Sequence, residues 1–145
     1  MSLLAKFLHL PFYQRLLILE ALCWLGIARF AVIAFPFRWI AAGLGLRNSC
    51  SIITPEKMPA RQITSIAEAI RRISPYTPWD SNCLAQAIAG RAMLRRRLIT
   101  STLYFGVTKD AAGQLEAHAW LRSNGMILTG DAELERYAVV ATFTD

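Results

Sequence analysis

Cysteine is scarce in this chain of 145 residues, with three copies at positions 23, 50 and 83. An odd number separated by wide gaps makes no disulfide framework, and no pair has the C-x-x-C spacing of a zinc site. A reducing, cytoplasmic setting is therefore expected, with no metal and no cofactor. The start M-S-L-L-A-K-F lacks the layout of a cleavable signal, since one Lys is followed by His9 and Pro11 and the apolar segment beyond carries charges. Acidic residues are also few, 10 against 16 Lys and Arg, for a net charge of +6. That balance suits an acidic peptide or protein, an anionic membrane surface or nucleic acid. Nucleic acid fits worst, because the basic residues are scattered apart from Arg95-Arg96-Arg97 and no nucleic-acid motif accompanies them. No internal repeat or low-complexity tract is present.

What the chain has in excess is apolar sequence: 54% of residues are hydrophobic, mean hydropathy is +0.34, and the surplus sits in the front part. The length suits one domain, long enough to bury a core. Residues 1–60 are expected to form a helical packing and docking region and 61–145 the chemical core. Residues 11–35 read as one long helix, with Pro11 suited to its first turn and Pro36 ending it. Its length would suit a membrane span, but Arg15, Glu20 and Arg29 interrupt it, each costing about 2.5–3.5 kcal/mol at the bilayer centre. Glu20 and Arg29 lie about 180° apart on the wheel and share no polar face. A helix buried against its own domain or a partner is the preferred reading. Phe37 to Leu44 reads as a second short helix, and Leu46 to Pro59, with Asn48, Ser49, Pro55 and Pro59, as a connection. Arg61 to Ile73 regains helical spacing through Ile63, Ile66, Ala67, Ile70 and Ile73.

The stretch Trp79 to Arg97 follows the breaker-rich Ser74-Pro75-Tyr76-Thr77-Pro78, contains residues able to cap a helix, and continues in good helix formers. Cys83 is thereby placed in the first helical turn, where unpaired N–H groups and the macrodipole favour a thiolate. Beyond it the period changes to two. Residues 100–108 and 114–122 alternate, Ser123-Asn124-Gly125 signals a tight hairpin, and 126–130 and 137–143 supply two further strands. The expected class is α+β: N-terminal helices, then a catalytic helix packed on a small antiparallel sheet.

If Asn124 and Gly125 are the two loop residues, Ser123 faces Met126 and His118 falls directly opposite Asp131. Cβ atoms about 4.5–5.5 Å apart on one face would let the carboxylate hold the imidazole. Trp120 neighbours His118 on that face and would shield it from water. Joined together, Cys83, His118 and Asp131 form a nucleophile, a base and its orienter. The Cys83 N–H would be one oxyanion donor, with Gln86 and Asn82 as candidates for a second. Each residue also has a plainer reading: Cys83 as a small core residue, His118 as structural, Asp131 as a turn residue. Zinc held by Cys50, Cys83 and His118 is a further alternative, without ligand spacing to favour it.

The run N-C-L-A-Q-A-I-A-G-R-A-M-L-R-R-R, followed by L-Y-F-G-V, E-A-H-A-W-L with N-G, G-D and E-R-Y-A-V-V-A-T-F, resembles the leader peptidases of lasso-peptide biosynthesis. These are transglutaminase-like cysteine proteases, and the resemblance covers residues 79–143, with the Leu-rich helix ending in P-F-R-W similar to their N-terminal part. It implies that Cys83, His118 and Asp131 are catalytic. It also implies a substrate, a ribosomally made precursor cut at the leader-core junction before a cyclase closes the core. The chain resembles the split form, which works with a separate leader-recognition protein. Arg97 departs from the pattern, standing where the family often has Gly. An acyltransferase with the same triad and a non-catalytic helical scaffold in peripheral membrane contact are the competing functional readings.

Overall fold

The computed structural model describes residues 2–43, 46–47, 60–131 and 134–144. Helices α1 (Leu3–Leu8), α2 (Phe12–Ala34) and α3 (Phe37–Gly43) come first, then a two-residue strand β1 (Leu46–Arg47) and helices α4 (Ala60–Ile73) and α5 (Cys83–Arg95). Strands β2 (Thr102–Lys109), β3 (Leu115–Ser123), β4 (Met126–Thr129) and β5 (Ala138–Thr144) complete an antiparallel sheet of order β1-β5-β2-β3-β4. The expected α+β class is observed. One expectation changes: Leu46 and Arg47, read as part of a connection, pair with Thr144 and Phe143 at the sheet edge. Cys50 lies outside the described residues, and with it the zinc alternative that used it.

Helix α4 is amphipathic, and its Ile63, Ile66 and Ile70 are each at most 1% exposed, a stabilisation of about 1.5–3 kcal/mol per side chain. They meet α2 on one side and the sheet on the other, sharing one core with Leu17, Ile18 and Ala21 of α2, Met93 and Leu94 of α5, and Leu103, Leu121 and Phe143 of the sheet. Gly90 lets α5 lie close to the sheet, since a Cβ there would stand 2.8 Å from Leu121 Cδ2 and 3.3 Å from Ile70 Cδ1.

The charges that interrupt α2 have partners. Glu20 accepts from Arg97 in a two-pronged pair, Nη1 to Oε1 at 3.0 Å and Nη2 to Oε2 at 2.7 Å, with Arg96 Nη1 at 2.8 Å. The Arg97 hydrogen bond, with the charges of Arg97 and Arg96, holds the Glu20 carboxyl below its ordinary range against the opposing effect of burial. Arg97 therefore ties the end of α5 to α2. The helix exit falls instead to Leu98, 94% exposed at φ 57°, while the Ile99 N–H returns to the Leu94 carbonyl. Arg91, on the otherwise apolar arc of α5, is 2% exposed and donates from Nη1 to the Phe143 carbonyl at 2.7 Å. Here a buried guanidinium bridges α5 to β5.

Candidate active site

The approach to α5 is fixed by short-range hydrogen bonds. Thr77 Oγ1 reaches the Ser74 and Trp79 carbonyls, both at 3.0 Å, and Ser81 Oγ at 2.7 Å. Helix α2 supports the same loop: Gly26 makes room for Trp79, whose Cζ2 would be 3.3 Å from a Cβ there, and Arg29 lies 4.0 Å from Asp80. Asn82 is the N-cap, its side chain accepting from the Ala85 N–H at 3.0 Å. The Gln86 N–H bonds the Asn82 carbonyl. Cys83 is therefore the first residue of the helix, as its sequence context predicts, with its own N–H outside the intrahelical ladder. Its side chain is half-buried and free of any disulfide.

Of the two residues considered for a second oxyanion donor, Asn82 uses only its Oδ1 in the cap, which leaves its amide hydrogens for an acceptor. Gln86 donates from Nε2 to the Ser81 carbonyl at 2.8 Å, which leaves the second hydrogen of that amide for another acceptor.

His118 sits in β3 opposite Gly106 of β2. The expected register across the hairpin holds for Ser123 with Met126 and Arg122 with Ile127, then shifts, so that Leu121 pairs with Thr129. The extra residue is a bulge that leaves Leu128 and Thr129 both buried, at 8% and 4% exposed. It also ends the pairing before Asp131, so His118 and Asp131 are not opposed in the ladder. Instead the chain turns at Gly130, φ 75°, and the Gly130 carbonyl meets His118 Nε2 at 2.6 Å. A carbonyl oxygen only accepts, so Nε2 carries the proton and Nδ1 is the basic nitrogen. Asp131 follows directly with an exposed side chain.

The ring is held by aromatic contacts as well. Tyr137 stacks on it with centroids 5.0 Å apart, and Trp120 at 6.0 Å. Trp120 in turn stacks nearly parallel on Tyr104 at 5.5 Å and is only 5% exposed. Gly106 allows this closure: a Cβ there would lie 2.8 Å from both Trp120 Cζ3 and Tyr137 Cβ. Tyr137 also has a polar partner on β3. Its hydroxyl approaches Glu116 Oε1 at 3.3 Å. Its pKa is raised by loss of solvent first, then by the Glu116 charge and hydrogen bond, with the charge of Cys83 acting in the same direction.

Gly106, Tyr137 and the Gly130 carbonyl escape the sequence reading. Gly106 had a signal, being a glycine inside a strand of larger residues, which marks a close approach. Tyr137 lies 19 residues after His118 and is brought back only by the β5 pairing. Among the described residues no group of three His, Cys, Asp or Glu side chains gathers to hold a metal ion.

No curated protein and no solved structure matches the chain significantly. A family model described as the transglutaminase-like superfamily matches residues 31–142, from the end of α2 through β5. That span takes in Cys83 at its helix start, His118 on its strand and the antiparallel sheet between them, and the chain belongs to the transglutaminase-like superfamily.

Proposed function

We propose that this protein is a cysteine peptidase that removes the leader from a ribosomally synthesised lasso-peptide precursor. It acts with a separate leader-recognition protein and ahead of the cyclase that closes the core. The observations that carry the chemistry are a cysteine at the start of α5 and, on the strand β3 against which α5 packs, a histidine whose Nε2 is fixed by the Gly130 carbonyl. The substrate class rests on the sequence resemblance over residues 79–143.

In this reading His118 Nδ1 takes the Cys83 thiol proton, the thiolate attacks the carbonyl carbon of the scissile amide, and the oxyanion takes a hydrogen bond from the Cys83 N–H at the helix start. The remaining Gln86 amide hydrogen and the Asn82 amide hydrogens are the candidates for the second donor. His118 Nδ1–H protonates the departing amine as the C–N bond breaks, leaving a thioester on Sγ. Nδ1 then takes a proton from water, whose oxygen adds to the thioester, and returns that proton to Sγ as the C–S bond breaks and the leader acid leaves. One water is consumed per bond cut. Trp120 and Tyr137 keep bulk water from the ring, and Asp131 supplies negative charge beside the turn that holds it.

The test is incubation of the purified protein with a candidate precursor, with and without a leader-recognition partner, read by mass spectrometry. Cleavage at one junction with the mass of one added water supports the proposal, as does its loss in Cys83→Ala. A product carrying an added amine would make the protein an acyltransferase, and undiminished cleavage by Cys83→Ala would remove Cys83 from the reaction.

A further inference from the structure

Helix α2 has two apolar faces, and only one is covered. Leu17, Ala21, Leu25 and Ala28 point inward and are at most 2% exposed. On the opposite side, Phe12, Leu16, Leu19, Ile27 and Phe30 follow the helical spacing and are between 48% and 69% exposed. Cys23, also exposed, falls on the same line. The stripe continues past the end of α2 into Phe35 and Trp39, which stack on each other at 6.0 Å and are 44% and 58% exposed. Contiguous exposed apolar side chains of this kind, unlike scattered single ones, mark an interaction surface.

We infer that this face lies in the plane of an anionic membrane surface. Charge argues for it. Residues 2–43 contain Lys6, Arg15, Arg29 and Arg38 against one carboxylate, Glu20, and that carboxylate is committed to Arg96 and Arg97. Lys6 on α1 and Arg38 on α3, the helices that precede and follow α2 in the chain, are exposed. Basic residues beside an apolar face with aromatic side chains along it are the composition of an interfacial helix. α2 is long and apolar enough to cross a membrane, with mean hydropathy 2.1. Crossing would strip its inner face from α4 and α5 and break the Glu20 pair, whereas lying in the interface keeps both.

The test is co-sedimentation of the full chain with vesicles of phosphatidylcholine alone or with 30 mol% phosphatidylglycerol, about 30 mol% being a strongly anionic surface. Binding to the anionic vesicles at least tenfold above that to the neutral ones is expected. Leu16→Glu/Ile27→Glu should lower it at least tenfold, and Lys6→Gln/Arg38→Gln should lower it by about fivefold for each charge removed. Circular dichroism should show each variant folded, and Trp39→Phe should lose most of any blue shift in fluorescence on binding. Failure of the folded wild-type protein to bind anionic vesicles would overturn the inference. So would light scattering showing a dimer that Leu16→Glu/Ile27→Glu dissociates, because the face would then belong to a second copy.

Discussion

Replacing Gly130 with alanine should cost more than the same change at Gly125, although the two residues share nearly the same backbone, φ 75° and 76°. At both, alanine in the left-handed region costs about 1–2 kcal/mol, offset by about 0.4–1 kcal/mol from the restricted unfolded chain. At Gly125 that is the whole effect, because an added Cβ meets nothing within 4 Å. At Gly130 the Cβ would lie 2.4 Å from the Ala119 carbonyl oxygen and 3.0 Å from Trp120 Cβ. Ala119 is paired with Phe105 inside the sheet and cannot retreat without distorting β3. Overpacking of this kind adds about 1–3 kcal/mol. The same Cβ would stand 3.1 Å from His118 Nε2, so Gly130→Ala should also displace the ring and reduce turnover, which Gly125→Ala should leave unchanged. Urea denaturation of the two variants against wild type, at a common m-value, reads the difference. Equal midpoints would refute the close approach of the Gly130 turn to β3.

Glu20→Gln should destabilise the fold by about 1–3 kcal/mol near neutral pH, the range for a charged hydrogen-bonded pair that is partly buried. The folded-state pKa of Glu20 lies below its ordinary value of 4.5, so the contribution is complete above that value and lost as pH falls through the folded one. The wild-type advantage should therefore disappear in acid-denaturation profiles, and a pH-independent gap would contradict the pairing. Leu98→Gly should raise stability by about 0.5–1 kcal/mol, because the left-handed strain outweighs the entropy glycine adds. Thermal melts that drop for this variant would show that Leu98 contributes packing. Asp131→Asn should slow peptide turnover by about 3–30-fold, well short of the roughly 10⁴-fold loss when a triad carboxylate sets the tautomer. A loss of that larger size would make Asp131, and not the Gly130 carbonyl, the orienter of His118.

The local features of the site were legible in the sequence. Capping residues and breakers place Cys83 at the helix start, and period-two alternation places His118 and Trp120 on one strand. The Asn-Gly hairpin is correct for its first two pairs. The Asp131 placement failed because a counted register assumes an unbroken ladder, whereas burial of both Leu128 and Thr129 against the helices inserts a bulge. Arg91 and Arg97 show the same boundary. Their positions were evident, but a carbonyl at Phe143 and a carboxylate at Glu20 lie 52 and 77 residues away. Only the packing of α5 against β5 and α2 supplies those partners. Tyr137 is hidden for a like reason, since its ring reaches His118 through β5 pairing.

The central claim, that this site activates Cys83, is tested most directly by competition between two cysteines for iodoacetamide, followed by peptide mapping at neutral pH. Cys23 is exposed on α2 and Cys83 is half-buried, so accessibility alone favours Cys23. The account predicts that Cys83 is alkylated faster, and that His118→Ala removes this advantage while leaving the Cys23 rate unchanged. Faster labelling of Cys23, or a Cys83 rate indifferent to His118, would contradict it.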